Sequence, residues 1–113
     1  MIKIYHNNRC STSRAGLKLL EESGKEFEIV HYLEDVPTEE ELSEIISFLG
    51  IKPLDLIRTK EELWKQEYKE KKIHGKALIK LMVKNPKLIE RPIVVNGDKA
   101  VIGRPVEKIL EIL

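Results

Sequence analysis

Apolar and polar positions along the chain fall into a short series of periodic runs. Ile2, Ile4 and Tyr5 lie within four positions, which predicts a buried strand over 2–5. Helical spacing follows over Arg14–Ser23, with Ala15, Leu17, Leu19 and Leu20 as its apolar side and Gly24 suited to a left-handed cap. Phe27–Leu33 reads as a second strand. Strand, helix and strand with short connections imply a parallel βαβ unit with a right-handed crossover. Thr38 and Glu41 form a capping-box pattern that opens a helix. Its stripe of Leu42, Ile45, Ile46 and Leu49 reads as core packing, and Gly50 ends it. Ile51–Ile57 predicts a short helical turn leading into Arg58. Thr59–Lys72 is very polar and predicts a solvated helix anchored by Trp64 and Tyr68, four apart. Lys76–Lys84 predicts a helix with Ala77, Leu78, Leu81 and Met82 facing inward, stopped at Asn85-Pro86. Arg91–Ile102 predicts a hairpin turning at Asn96-Gly97. Pro105–Leu113 predicts a last helix with proline in its first turn and Val106, Ile109, Leu110 and Leu113 on one face.

The order is βαβ, then helices, then ββα. It describes an α/β protein with a thioredoxin-like mixed sheet, in a single domain over 1–113, with a helical insertion at about 38–90 between the two halves. A hydrophobic share of 42% and a charged share of 35% fit a globular domain, so no staple is needed to hold it. The net charge of +1 gives no bulk reason to expect a nucleic-acid or membrane partner. No apolar run approaches a membrane span or a signal peptide, so a cytoplasmic location is expected. The cations are unevenly chosen: fifteen lysines but only five arginines, Arg9, Arg14, Arg58, Arg91 and Arg104. A planar guanidinium suits a tetrahedral oxyanion or a carboxylate better than an ammonium does, so the sparing use singles the arginines out. Arg91 and Arg104 each stand directly before proline.

The stretch His6-Asn7-Asn8-Arg9-Cys10-Ser11-Thr12-Ser13-Arg14 carries the candidate chemistry. Cys10 is the only cysteine, and it stands between the first strand and the first helix. Unpaired N–H groups and a dipole of roughly half a positive charge at that junction favour a thiolate. Lys3, Arg9, Arg14 and Lys18 surround it in sequence, and no acid precedes Glu21. The bland alternative is an inert cysteine acting as a small hydrophobe. One cysteine excludes an internal disulfide and a multi-cysteine metal site, so any disulfide chemistry must recruit an outside thiol. Ser13 stands where a Cys-x-x-Cys motif has its second sulfur. Its hydroxyl can hydrogen-bond a thiolate but cannot resolve a disulfide. His6, four residues before the cysteine, either lowers its pKa as an imidazolium or packs the loop. His31 and His74 are given no role, and metal binding by Cys10 with a histidine lacks soft ligands.

These residues together, His6-Asn7-x-x-Cys10-x-Thr12-Ser13-Arg14 with Arg58, Arg91-Pro92-Ile93-Val94-Val95 and Arg104-Pro105, resemble the glutaredoxin-coupled arsenate reductases. The resemblance spans nearly the whole chain, including His31-Tyr32-Leu33-Glu34 and Pro37-Thr38. It implies a Cys10 nucleophile that attacks arsenate, with Arg58, Arg91 and Arg104 binding the oxyanion. It implies that His6 helps lower the thiol pKa and that Pro92 is cis. No bound cofactor is implied; glutathione is the co-substrate, glutaredoxin the reductant, and a monomer is expected. Replacing Arg91 by alanine is then expected to remove an anion contact and leave thiol reactivity largely in place. Two positions depart from the family pattern: Asn8 where proline is usual, and Ser11 where glycine is frequent. Two alternatives share the fold. Spx-type regulators bind RNA polymerase, but they usually carry Cys-x-x-Cys and lack the later Arg-Pro, so Ser13, Arg104 and Pro105 speak against them. A glutathione-dependent thiol oxidoreductase with another substrate is less easily separated. The phosphatase-like arsenate reductases need Cys-x5-Arg, and this chain has Cys10-x3-Arg14.

Overall fold

The computed structural model describes all 113 residues, which form two compact units, Met1–Asp35 with Arg91–Leu113, and Val36–Glu90. The first unit holds the sheet. Its strands β1 (Ile2–Tyr5), β2 (Phe27–Val30), β3 (Ile93–Asn96) and β4 (Lys99–Ile102) are arranged in the order β2-β1-β3-β4. β1 runs parallel to β2 and antiparallel to β3, and β3 antiparallel to β4. The mixed sheet with its flanking helices is the expected thioredoxin-like α/β arrangement.

Helix α1 (Ser11–Ser23) links β1 to β2, and the chain ends in a 3₁₀ helix, Val106–Ile112. Leu20 and Ile109 from these helices join Ile2, Ile4 and Val94 of the sheet in one core cluster, against which Leu17, Phe27, Val106 and Ile112 pack. Ala15, expected on the apolar side of α1, is exposed; Gly16 and Ser13 take the buried positions beside Leu20.

Three element boundaries differ from expectation, each for a physical reason. β2 stops at Val30 and not at Leu33. β1 is its only partner, and after His6 donates its N–H to the Val30 carbonyl at 2.9 Å the pairing is exhausted. The chain then turns, with Glu34 and Asp35 donating to the His31 carbonyl. The hairpin loop is Gly97-Asp98, since Asn96 still pairs with Lys99. Gly97 takes φ +66° and no non-glycine residue has positive φ, which is the glycine-first II′ pattern, not Asn-Gly I′. The last helix is 3₁₀, so residues three apart share a face. Val106, Ile109 and Ile112 therefore line the core, while Leu110, expected inside, is exposed.

The second unit is helical. α2 (Glu39–Leu49) begins at Thr38, whose hydroxyl accepts the Glu41 N–H at 3.1 Å while the Glu41 carboxylate accepts the Thr38 N–H at 3.1 Å. It packs on α3 (Lys76–Lys84). α3 buries Leu78, Ile79 and Met82; Ala77, expected inside, is exposed, and Leu81 is half-buried. Thr59–Lys72 is not a continuous helix. It forms a single π turn, Trp64–Tyr68, closed by the Lys69 N–H on the Trp64 carbonyl at 2.8 Å. The segment has no apolar stripe to bury, so helix persists only where Trp64 is buried and Tyr68 stacks on it. A bridge between Ile57 and Ile89 ties the middle of the unit to its C-terminal end, with Arg58 N–H on the Leu88 carbonyl at 2.7 Å.

Candidate active site

Helix α1 starts three residues earlier than its apolar periodicity indicates, and this places Cys10 at its N-cap in extended conformation. The sulfur thus occupies the position from which a serine or aspartate side chain accepts the free N–H groups of a first helical turn. Cys10 is 9% exposed. Burial pushes its thiol pKa up. The Ser13 N–H, the Arg91 charge, the Thr12 N–H and the Arg104 charge together outweigh that, and the net direction is down. The buried environment that would suit an inert cysteine is therefore overridden by donors and cations aimed at the sulfur.

Arg104 is held at two points. Its Nε donates to the Arg91 carbonyl at 2.7 Å, and its Nη2 donates to the Cys10 sulfur at 3.4 Å. That geometry depends on how tightly the turns before β3 and after β4 approach α1. The Arg91-Pro92 peptide is cis, as the family pattern implies, and Arg104-Pro105 is cis as well. Gly103 donates its N–H to the Pro92 carbonyl at 2.8 Å. A Cβ on either Gly16 or Gly103 would come within 3.0 Å of the Pro92 ring and 3.1 Å of Ile109 Cδ1. The proline ring is gripped between two residues that have no side chain, which sets the arginine on each side of it. Arg91 has a part not expected from the sequence: its charge helps hold the Cys10 thiol below its ordinary pKa.

The loop before the cysteine is closed on itself. Cys10 N–H donates to the Asn7 carbonyl at 3.0 Å, Asn7 N–H to Ser13 Oγ at 2.9 Å, and Arg9 N–H to Asn7 Oδ1 at 3.0 Å. Arg14, read from sequence only as a nearby cation, donates from Nη1 to the Asn8 carbonyl at 2.7 Å. Ser13 is fully buried, and its hydroxyl is engaged by Asn7 and by His6 Nδ1 at 2.7 Å. Ser13 therefore serves the sulfur through its backbone N–H, not through the hydroxyl the sequence suggested. His6 is 1% exposed, with Nε2 2.6 Å from Asn8 Oδ1 and the His31 ring edge-on to it. Asn8, Asn7 and Arg14 were missed as loop-closing residues, because hydrogen bonds spanning two to six positions of an irregular loop leave no periodic trace.

Arg58 belongs to the second unit, where its guanidinium pairs with Glu61 at 3.2 Å. His74 is exposed beside Gly75. No group of three or more His, Cys, Asp or Glu side chains could hold a metal ion, and no helix is long and apolar enough to cross a membrane.

A thioredoxin-like fold with a cation-flanked cysteine at the N-cap position of its first helix defines a thiol-chemistry protein. The chain belongs to the ArsC family, whose model matches residues 5–112. It is 48% identical to the Escherichia coli protein YfgD over 99% of this chain and 96% of that one. It is 46% identical to the arsenate reductase of Haemophilus influenzae over 97% of each. Among solved structures, an arsenate reductase from Vibrio cholerae superposes with a TM-score of 0.94 at 44% identity, covering 99% of this chain and 97% of that one.

Proposed function

We propose that the protein is an arsenate reductase that uses glutathione and glutaredoxin. The observation that carries this reading is the Cys10 sulfur at a helix N-cap with an Arg104 N–H at 3.4 Å and its pKa lowered by Arg91 and Arg104. The names of the relatives support arsenate as the oxyanion. In this reading Arg91, Arg104 and Arg58 bind arsenate and offset the repulsion between two anions. The Cys10 thiolate forms a sulfur–arsenic bond, and one oxygen leaves as water after protonation. The glutathione thiolate then bonds to the Cys10 sulfur. The sulfur–arsenic bond breaks with its electron pair remaining on arsenic, which leaves as arsenite. Arsenic gains two electrons, and the two sulfurs lose them in becoming a mixed disulfide. The outside thiol is required because Cys10 is the only cysteine. A glutaredoxin thiolate takes the glutathionyl group and frees Cys10.

The test couples NADPH oxidation to arsenate through glutathione reductase, glutathione and glutaredoxin. Arsenate-dependent turnover is expected, and Cys10→Ser is expected to abolish it with the fold unchanged. Absence of an arsenate-dependent rate in the intact protein, or substantial turnover in Cys10→Ser, overturns the assignment. Omitting glutaredoxin separately tests the electron donor.

A further inference from the structure

The hydrogen bonds around His6 form one directed chain. A side-chain carbonyl oxygen can only accept, so the 2.6 Å contact with Asn8 Oδ1 puts a hydrogen on His6 Nε2. Ser13 Oγ already accepts the Asn7 N–H at 2.9 Å. The hydroxyl keeps a second lone pair and its own hydrogen; with the ring hydrogen on Nε2, the bare Nδ1, 2.7 Å away, accepts that hydroxyl hydrogen. We propose that Asn8 is a positioning residue: it holds His6 as the neutral Nε2–H tautomer, so that Nδ1 captures the Ser13 hydroxyl and keeps the Cys10 loop closed.

The order is Asn7 N–H to Ser13 Oγ, Ser13 O–H to His6 Nδ1, and His6 Nε2–H to Asn8 Oδ1. Each donor meets one acceptor. His6 and Ser13 are buried almost completely, where a half-satisfied polar group is costly and a connected chain strengthens itself. Asn8 is exposed, so it can be changed without opening the core. With its hydroxyl held by the imidazole, Ser13 can offer the sulfur only its backbone N–H. Asn8 thus reaches the sulfur through His6 and then Ser13, and touches neither substrate nor reacting atom. The inference rests on Cys10 as the nucleophile and not on arsenate as the substrate.

The experiment uses the full chain with 15N-labelled histidine and reads the His6 ring by long-range 1H–15N correlation at neutral pH. The expected spectrum shows Nε2 protonated and Nδ1 bare. Asn8→Ala is expected to lose that preference and to slow iodoacetamide alkylation of Cys10 about two- to tenfold, the effect of one hydrogen bond. Asn8→Asp, which keeps an acceptor oxygen in place, is expected to restore the Nε2–H signature. Proton on Nδ1, or on both nitrogens, in the native protein overturns the proposal. So does an unchanged spectrum or rate in Asn8→Ala, or a failure of Asn8→Asp to restore the tautomer. Arsenate enters none of these measurements, so a protein that passes them and reduces no arsenate counts against the substrate alone.

Discussion

Cys10 is the residue on which the site turns, and its thiol is where pH dependence enters. Against the effect of burial, its folded pKa is held below the ordinary thiol value by the Ser13 N–H, the Arg91 charge, the Thr12 N–H and the Arg104 charge. The thiolate is therefore present in the folded protein at a pH where the unfolded chain still holds the proton. The stabilisation this brings is complete above the unfolded pKa and is lost as pH falls through the folded one. The rate of iodoacetamide alkylation, followed against pH, is expected to have its midpoint below the ordinary value. Arg91→Ala and Arg104→Ala should each move that midpoint upward, Arg91→Ala further, since its charge acts more strongly on the sulfur. A native midpoint at or above about 8.5 would remove the activated thiolate. The cysteine, its cations and the arginine–proline pairs were legible because each is a residue type with one distinctive chemistry. The part of Asn8 was not, because an asparagine in a loop declares no partner until the backbone has turned.

At the scale of elements, local signals with short-range physics were the legible ones. Thr38 and Glu41 form the reciprocal cap that their spacing indicates. Thr38→Ala should cost about 1 kcal/mol, read from the urea midpoint; no measurable loss would mean that the cap is not holding the start of α2. Less legible were the elements whose form is set by packing. Spacing of three in Val106, Ile109 and Ile112 suits a 3₁₀ helix as well as it suits the α-helix expected there. The close contacts of Pro92 were equally hidden, since a glycine in sequence does not show what crowds it. Gly103→Ala forces a methyl against the rigid Pro92 ring and Ile109, which should cost about 1–3 kcal/mol. Gly16→Ala meets the same two side chains, but in a helix alanine regains about 1 kcal/mol over glycine. Gly103→Ala is therefore expected to be the more damaging, and equal effects in urea melts would argue against Pro92 as the crowded neighbour.

For the molecule as a whole, the order of elements was the most legible property and the position of Arg58 the least. A parallel βαβ start and a hairpin at the end account for the pairs β1–β2 and β3–β4, and the hairpin joins the sheet through β3 on the free edge of β1. Nothing comparable governs a lone arginine in a helical stretch. Its part in anion binding comes from resemblance, and binding read through stability puts it to the test. A ligand that binds only the folded state stabilises it by mass action, about 1.4 kcal/mol at ten times Kd. For a chain of this length that raises Tm by roughly 5–10 °C. The measurement belongs on Cys10→Ser, in which no sulfur–arsenic bond can form and only oxyanion binding is read. Arsenate is expected to raise Tm in that variant. Under the proposed function, adding Arg104→Ala or Arg58→Ala should each abolish most of the rise. If Arg104→Ala alone abolishes it, Arg58 is a structural partner of Glu61 and the anion is held from the first unit; if neither does, arsenate binds elsewhere and the oxyanion site is wrong.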